Sequence, residues 1–325
     1  MQPFRRILVA VKEPDARLSP MVEKAIVLAK GYDAELELLH VRDQPTFAEP
    51  YLTVEALTEI TGGLHAQIRA ALDRMAEQVR KRGVRVRTRV EWDFPPYEGI
   101  VRRAVKGHAD LIVAGCHPGR HRLPALMRLN DWELLRLSPV PLLLVKNAKP
   151  WRTGTILAAL DPTHESDKPA RLDRQILEVA ESLSSHLHSP LHAMHAYGVL
   201  PVAVAYGDYL TPEFPARFLA QARAHAVKAL NRTLRRVRIP AARRHVIGEH
   251  AVDAIPRVAR RTHADIVVMG AISRSGLSRL IIGNTAERVL DSIPSDLLIV
   301  KPPGFRNRVG TKRRPARLIG TMTVP

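Results

Sequence analysis

Apolar residues fall along this chain in two alternating rhythms. Short aliphatic runs without polar alternation predict strands buried on both faces of a parallel sheet. In the first half these are Ile7–Val11, Leu36–Val41, Val84–Val90, Leu111–Ala114 and Leu142–Val145. Between them the apolar positions switch to a helical period. Met21, Ala25, Leu28 and Ala29 share one face; Leu64, Ile68, Ala71, Leu72, Met75 and Val79 share another, and Gly83 follows as a natural stop. Ile100, Ala104 and Val105 mark a shorter helix, and residues 132–137 one more before Pro139. The second half repeats the programme, with strands expected over Ile156–Leu160, Leu191–Ala196, His245–Ile247, Ile266–Met269 and Leu297–Val300. Helices are expected over Leu172–Leu183, Phe214–Val237, Ala254–Arg261 and Thr285–Leu290.

The halves also match in letters. His108-Ala109-Asp110-Leu111-Ile112-Val113-Ala114-Gly115 recurs 155 residues later as His263-Ala264-Asp265-Ile266-Val267-Val268-Met269-Gly270. Leu142-Leu143-Leu144-Val145-Lys146 recurs at the same interval as Leu297-Leu298-Ile299-Val300-Lys301, and Ile7-Leu8 recurs 149 residues on as Ile156-Leu157. A period this long over ten strand signals means a tandem duplication. The fold class predicted is α/β: two doubly wound, parallel, five-stranded domains over residues 1–149 and 150–302, followed by a basic tail, 303–325.

Composition narrows the function classes. With 325 residues, 46% hydrophobic and 25% charged, the chain has material for two ordinary cores. No apolar run nears the roughly 18–20 residues that cross a bilayer, and the start resembles no signal peptide, so a cytoplasmic location is expected. One cysteine, Cys116, excludes a disulfide framework and a CxxC metal site. Net charge is +18, split as +6 over 1–150, +6 over 151–302 and +6 over the tail. The tail holds Arg306, Arg308, Lys312, Arg313, Arg314 and Arg317 with no acid and no periodicity. That composition predicts a disordered extension, either merely solubilising or weakly attracted to nucleic acid or an acidic lipid surface.

Ligands of open parallel sheets bind beyond the carboxyl ends of the strands. The best candidate there is the stretch from Gly270 to Thr285. Gly270 and Gly283 let the backbone approach an anion, Ser273, Asn284 and Thr285 supply donors, and Arg274 and Arg279 supply charge. A plain flexible connection is the competing reading. Gly-Lys, GxG and GxSxG never occur, which removes Walker A loops, dinucleotide fingerprints and nucleophile elbows. His186, His188, His192 and His195 cluster in sequence, yet residues three apart on a strand face opposite sides, so His192 and His195 cannot share a metal ion undistorted. No metal is expected to be required. Cys116 beside His117 reads as a packed small residue more readily than as a reactive thiolate.

The stretch from Asp265 to Lys301 resembles the universal stress protein superfamily, whose nucleotide-binding members carry G-x2-G-x9-G-[ST] after the fourth strand. Gly283-Asn284-Thr285-Ala286-Glu287-Arg288-Val289-Leu290-Asp291 and, in the first half, Asn130-Asp131-Trp132-Glu133-Leu134-Leu135-Arg136 are similar to the tandem two-domain type. The likeness covers about residues 1–302. It implies ATP or another adenine nucleotide, or a related small metabolite, as ligand of the second domain. Gly270 and Gly283 match motif glycines, Ser273 stands at the middle glycine, and Asn284 replaces the Ser/Thr before Thr285. Asp161 holds the place of the family aspartate that faces the nucleotide. The first domain departs further: Lys12 replaces that aspartate, Pro118 the middle glycine, and no Gly-Ser/Thr precedes Asn130. The resemblance further implies a non-catalytic stress-response regulator whose two domains pack as an internal pseudo-dimer. Slow nucleotide hydrolysis, and polyanion binding through the tail, are the alternatives.

Overall fold

Each aliphatic run marked above as a strand forms one. The computed structural model describes residues 4–14, 17–42, 54–116, 132–151, 154–163, 170–198, 213–270, 284–302, 304–305 and 307–310. These residues divide into two compact bodies.

The first body takes in described residues 4–115, 132–139 and 307–310. Its elements are β1 (Arg6–Ala10), α1 (Pro20–Tyr32), β2 (Glu35–Arg42), α2 (Val54–Lys81), β3 (Val86–Trp92), α3 (Pro96–Lys106), β4 (Leu111–Gly115) and α4 (132–137). The four strands are parallel in the order β3-β2-β1-β4. The second body takes in Cys116 and described residues from Val140 to Phe305. It contains β5 (Leu142–Val145), β6 (Thr155–Leu160), α5 (Ala170–His186), β7 (Leu191–Ala196), α6 (Glu213–Thr233), β8 (Arg244–Ile247), α7 (Ala251–Arg261), β9 (Ala264–Gly270), α8 (Asn284–Ser292) and β10 (Asp296–Val300). Single 3-10 turns at Leu234–Arg236 and Ala241–Arg243 lie between α6 and β8. Its strand order is β5-β10-β9-β6-β7-β8, parallel except where β5 runs against β10.

The doubly wound α/β class is as expected, and β5, the fifth strand of the first repeat, is grouped with the second body. β5, the last strand of the first repeat, lies antiparallel to β10, the last of the second, with Leu144 facing Leu297 and Leu142 facing Ile299. Every residue of both strands is buried. An all-apolar strand left at a sheet edge invites aggregation, and β5 covers the open side of β10.

Duplication reaches the backbone. Among the described residues four non-glycine residues stand in the left-handed region, Asp33 and His188 at φ 50° and 51°, His108 and His263 at 51° and 50°. Members of each pair lie 155 residues apart and follow equivalent helices. Ala34, Ser189 and Ala109 donate their N–H groups five residues back, to the carbonyls of Ala29, Ser184 and Ala104, closing those helix ends as Schellman motifs do. Among the described residues no helix is long and apolar enough to cross a membrane.

Candidate functional site

In each repeat the chain adds two strands on one side of its first strand and then returns to the other side. The reversal opens a crevice at the carboxyl ends of β1 and β4 in one body, and of β6 and β9 in the other.

In the second body the six buried residues of β6 deliver Asp161 to that crevice. The Asp161 N–H donates to Asp173 Oδ1 at 3.1 Å, and Thr163 Oγ1 donates to Asp161 Oδ1 at 3.4 Å. Asp173 is 3% exposed in the first turn of α5, where the helix dipole favours a carboxylate. Asp161 Oδ2 is sealed from solvent and has no hydrogen-bond partner among the described residues. Leaving a buried acceptor unmade costs on the order of 1–3 kcal/mol, so such an atom calls for an explanation, and a ligand donor is one.

The register Ala158↔Val268 brings Leu160 level with Gly270, so Asp161 and Gly270 end neighbouring strands at the same crevice. Asn284 and Thr285 are the first two residues of α8, whose N–H groups are the kind that favour phosphate. Ser273 and Gly283 lie outside the described residues. In the first body Lys12 follows β1 where Asp161 follows β6, and Pro118 lies outside the described residues.

Both repeats share one device with no counterpart among the candidate residues above. His40 on β2 is 9% exposed, and its Nδ1 lies 2.9 Å from the Val11 carbonyl; His195 on β7 is fully buried, and its Nδ1 lies 3.4 Å from the Leu160 carbonyl. A carbonyl only accepts, so Nδ1 carries the proton in both. Burial holds His40 below its ordinary pKa, with the Val11 bond opposing and Arg42 assisting. Each histidine thus fixes the last carbonyl before the residue that enters the crevice, Lys12 or Asp161. Their spacing of 155 is a signal present in the letters, masked for His195 by its neighbours His186, His188 and His192, which make it read as part of a histidine cluster.

His192 goes elsewhere. Its Nδ1 lies 2.9 Å from Nε2 of His245 on β8, the ring centres are 5.2 Å apart, and Arg261 Nη2 donates to His245 Nδ1 at 3.1 Å. Arginine only donates, so His245 carries its proton on Nε2 and passes that hydrogen bond to His192. Burial, then His245 and Arg243, push the pKa of His192 down to about 4, and burial with Arg261 lowers His245. Both folded-state values lie below the ordinary one, so the unfolded chain binds more protons in acid. The stability from this pair is therefore complete above about pH 6.5 and is lost as pH falls toward 4. Thermal melts between pH 7 and 4.5 should show a shallower acid loss in His192→Gln than in the parent; equal slopes would contradict the assignment. Among the described residues no group of three or more metal-binding side chains occurs.

Two lysines are perturbed as well. Lys146 donates through Nζ to the Leu290 and Ile293 carbonyls at the end of α8, and burial lowers its pKa. Lys301, its counterpart 155 residues later, is pulled down to about 7 by burial, with Nζ 4.7 Å from the Phe305 ring centre. Perturbed amines often mark function, but Lys146 is occupied in closing a helix.

A sequence profile described as the Universal stress protein family matches residues 3–146 and 153–301. The chain belongs to this family. Universal stress protein E of Escherichia coli (strain K12) is 27% identical over 317 residues, covering 95% of this chain and 98% of that protein. A homolog of universal stress protein E from Haemophilus influenzae is 24% identical, covering 92% and 98%. Among solved structures, a functionally unknown protein from Pseudomonas aeruginosa PAO1 is 26% identical with a TM-score of 0.64, covering 92% of this chain and 93% of its own. A universal stress protein from Archaeoglobus fulgidus, 15% identical with a TM-score of 0.58 and coverages of 91% and 96%, shares the fold. This universal stress protein is thus of the tandem type, with one family domain in each repeat.

Proposed function

We propose that the second repeat binds an adenine nucleotide such as ATP in the β6/β9 crevice, and that the chain acts as a non-catalytic stress-response regulator. The observation that carries this reading is the buried Asp161 oxygen without a partner, placed at the switch point beside Gly270. A carboxylate there accepts ribose hydroxyls, a glycine strand end admits a phosphate close to backbone, and the α8 N-terminus answers its charge. Residues 271–283 contain no carboxylate, so the loop offers phosphate binding without a general base. Lys12 in the first repeat reverses the charge at the equivalent point, which argues for one nucleotide per chain.

Native mass spectrometry of the purified protein tests the ligand class: a retained adenine nucleotide is expected, and retention of an unrelated molecule alone would overturn the reading. Ser273→Gly removes a side chain where the family pattern has a glycine. It should tighten ATP by up to about tenfold, or ~1.4 kcal/mol; weaker binding would show that the Ser273 hydroxyl is used rather than tolerated.

A further inference from the structure

From Phe214 to Gly248 the chain carries nine basic residues and no acidic one. The remainder of residues 151–302 holds 11 basic and 14 acidic residues, a net −3, so this one segment makes the second repeat basic. It folds as α6 after its first residue, Glu213, then the two 3-10 turns and β8. Ala226 and Leu230 of α6 are buried at 2% and 1%, while Arg217, Lys228 and Arg232 recur along its outward side, all exposed, over about 22 Å of helix. Arg235, Arg236, Arg238 and Arg243 extend the row through the turns, also exposed and with no ion-pair partner among the described residues. Arg244 is spent differently: Nε and Nη2 donate to the Ile239 carbonyl at 2.8 and 2.6 Å and Nη1 to Asn231 Oδ1 at 2.9 Å, which fixes the corner that displays the others.

At the end of this row a cavity of about 550 Å³ is lined by Arg238, Arg243, His188, Ser185 and Ser189, with Glu181 as its carboxylate. Guanidinium forks and hydroxyls around a polar recess suit a phosphate. The exposed apolar residues of α6 do not make a membrane face. Phe218, Leu219 and Val227, 40%, 42% and 37% exposed, spread over about half of the helix circumference outside the cationic stripe and do not gather into one apolar stripe.

We propose that the arginine face built by α6, the two 3-10 turns and the start of β8 binds the phosphodiester backbone of nucleic acid without reading its sequence. It goes beyond the nucleotide crevice and does not depend on it.

Fluorescence anisotropy of the full chain with a labelled 20-base-pair duplex, between 50 and 200 mM salt, tests the proposal. About six neutralised phosphates give a log–log salt slope near −5, a loss of roughly 10³-fold over that range. Replacing Arg235, Arg236, Arg238 and Arg243 together by Gln should make the slope shallower by about 3 to 4 and weaken binding more than tenfold at 100 mM salt. A matched variant with Arg69, Arg74, Lys81 and Lys106 changed to Gln removes the same charge from the first body and should retain the slope. Equal losses in both variants, or binding lost only on removal of residues 311–325, would overturn the proposal. So would preference for phosphatidylglycerol vesicles over the duplex at equal salt. Asp161→Ala should leave duplex binding unchanged, so the outcome is independent of the nucleotide reading.

Discussion

Arg102→Met should destabilise the first body by about 3–5 kcal/mol, visible as a melting temperature lower by about 10 °C. Arg102 is a buried guanidinium shared by two buried carboxylates. Nε and Nη2 meet Asp93 at 2.9 and 2.7 Å, and Nη1 meets Glu98 at 2.9 Å. Side-chain exposures are 9% for Arg102, 3% for Asp93 and 7% for Glu98, so water cannot replace the lost cation. Nη1 also reaches the Gly310 carbonyl at 3.4 Å, tying the start of the basic tail to this cluster. The cost falls on the stranded anions rather than on the pair as such. Adding Asp93→Asn and Glu98→Gln to Arg102→Met should therefore restore most of the loss. A single variant as stable as the parent would show that the carboxylates find solvent or take up protons. In the second repeat the matching Arg257, 155 residues on, pairs instead with Glu249 at 2.7 Å, with both side chains about half exposed.

Gly154→Ala should cost about 2–3 kcal/mol, through overpacking against a carboxylate. A Cβ on Gly154 would stand 1.9 Å from Asp265 Oδ2 and 2.2 Å from its Cγ. Asp265 belongs to the repeated His-Ala-Asp triplet. In the first repeat the matching Asp110 Oδ2 accepts the N–H groups of Arg5 and Arg6, both at 2.9 Å, fastening the chain as it enters β1. The triplet thus serves strand entry, not chemistry. Urea denaturation of Gly154→Ala checks the magnitude; an unchanged midpoint would mean that the Asp265 carboxylate swings away freely.

Strands buried on both faces announce themselves as aliphatic runs, which is why β5 and β7 are found over the residues expected from the sequence. The same lack of alternation leaves partner choice unspecified. Nothing in Leu142-Leu143-Leu144-Val145 indicates that β5 lies antiparallel against β10. The sequence predicts helix α6 to run to Val237, but it ends at Thr233 and gives way to a 3-10 turn at Leu234–Arg236, closed by the Val237 N–H donating to the Leu234 carbonyl. At the crevice, the places of Asp161 just after β6 and of Gly270 at the end of β9 were legible, the first through the family resemblance and the second through the rule that ligands of open sheets bind beyond strand carboxyl ends. The histidines behind the two strand ends are marked by their 155-residue interval, but an interval does not state that the role is a hydrogen bond to backbone. The arginine face was hidden by arithmetic, a +6 over 151–302 concealing a +9 segment in a net negative remainder.

Isothermal titration of the full chain with ATP tests the central claim most directly. One site per chain is expected, abolished or weakened at least tenfold by Asp161→Ala and unchanged by Lys12→Ala. Two equivalent sites, or ATP heat that survives Asp161→Ala but disappears in Lys12→Ala, would place the nucleotide in the first repeat and contradict the account.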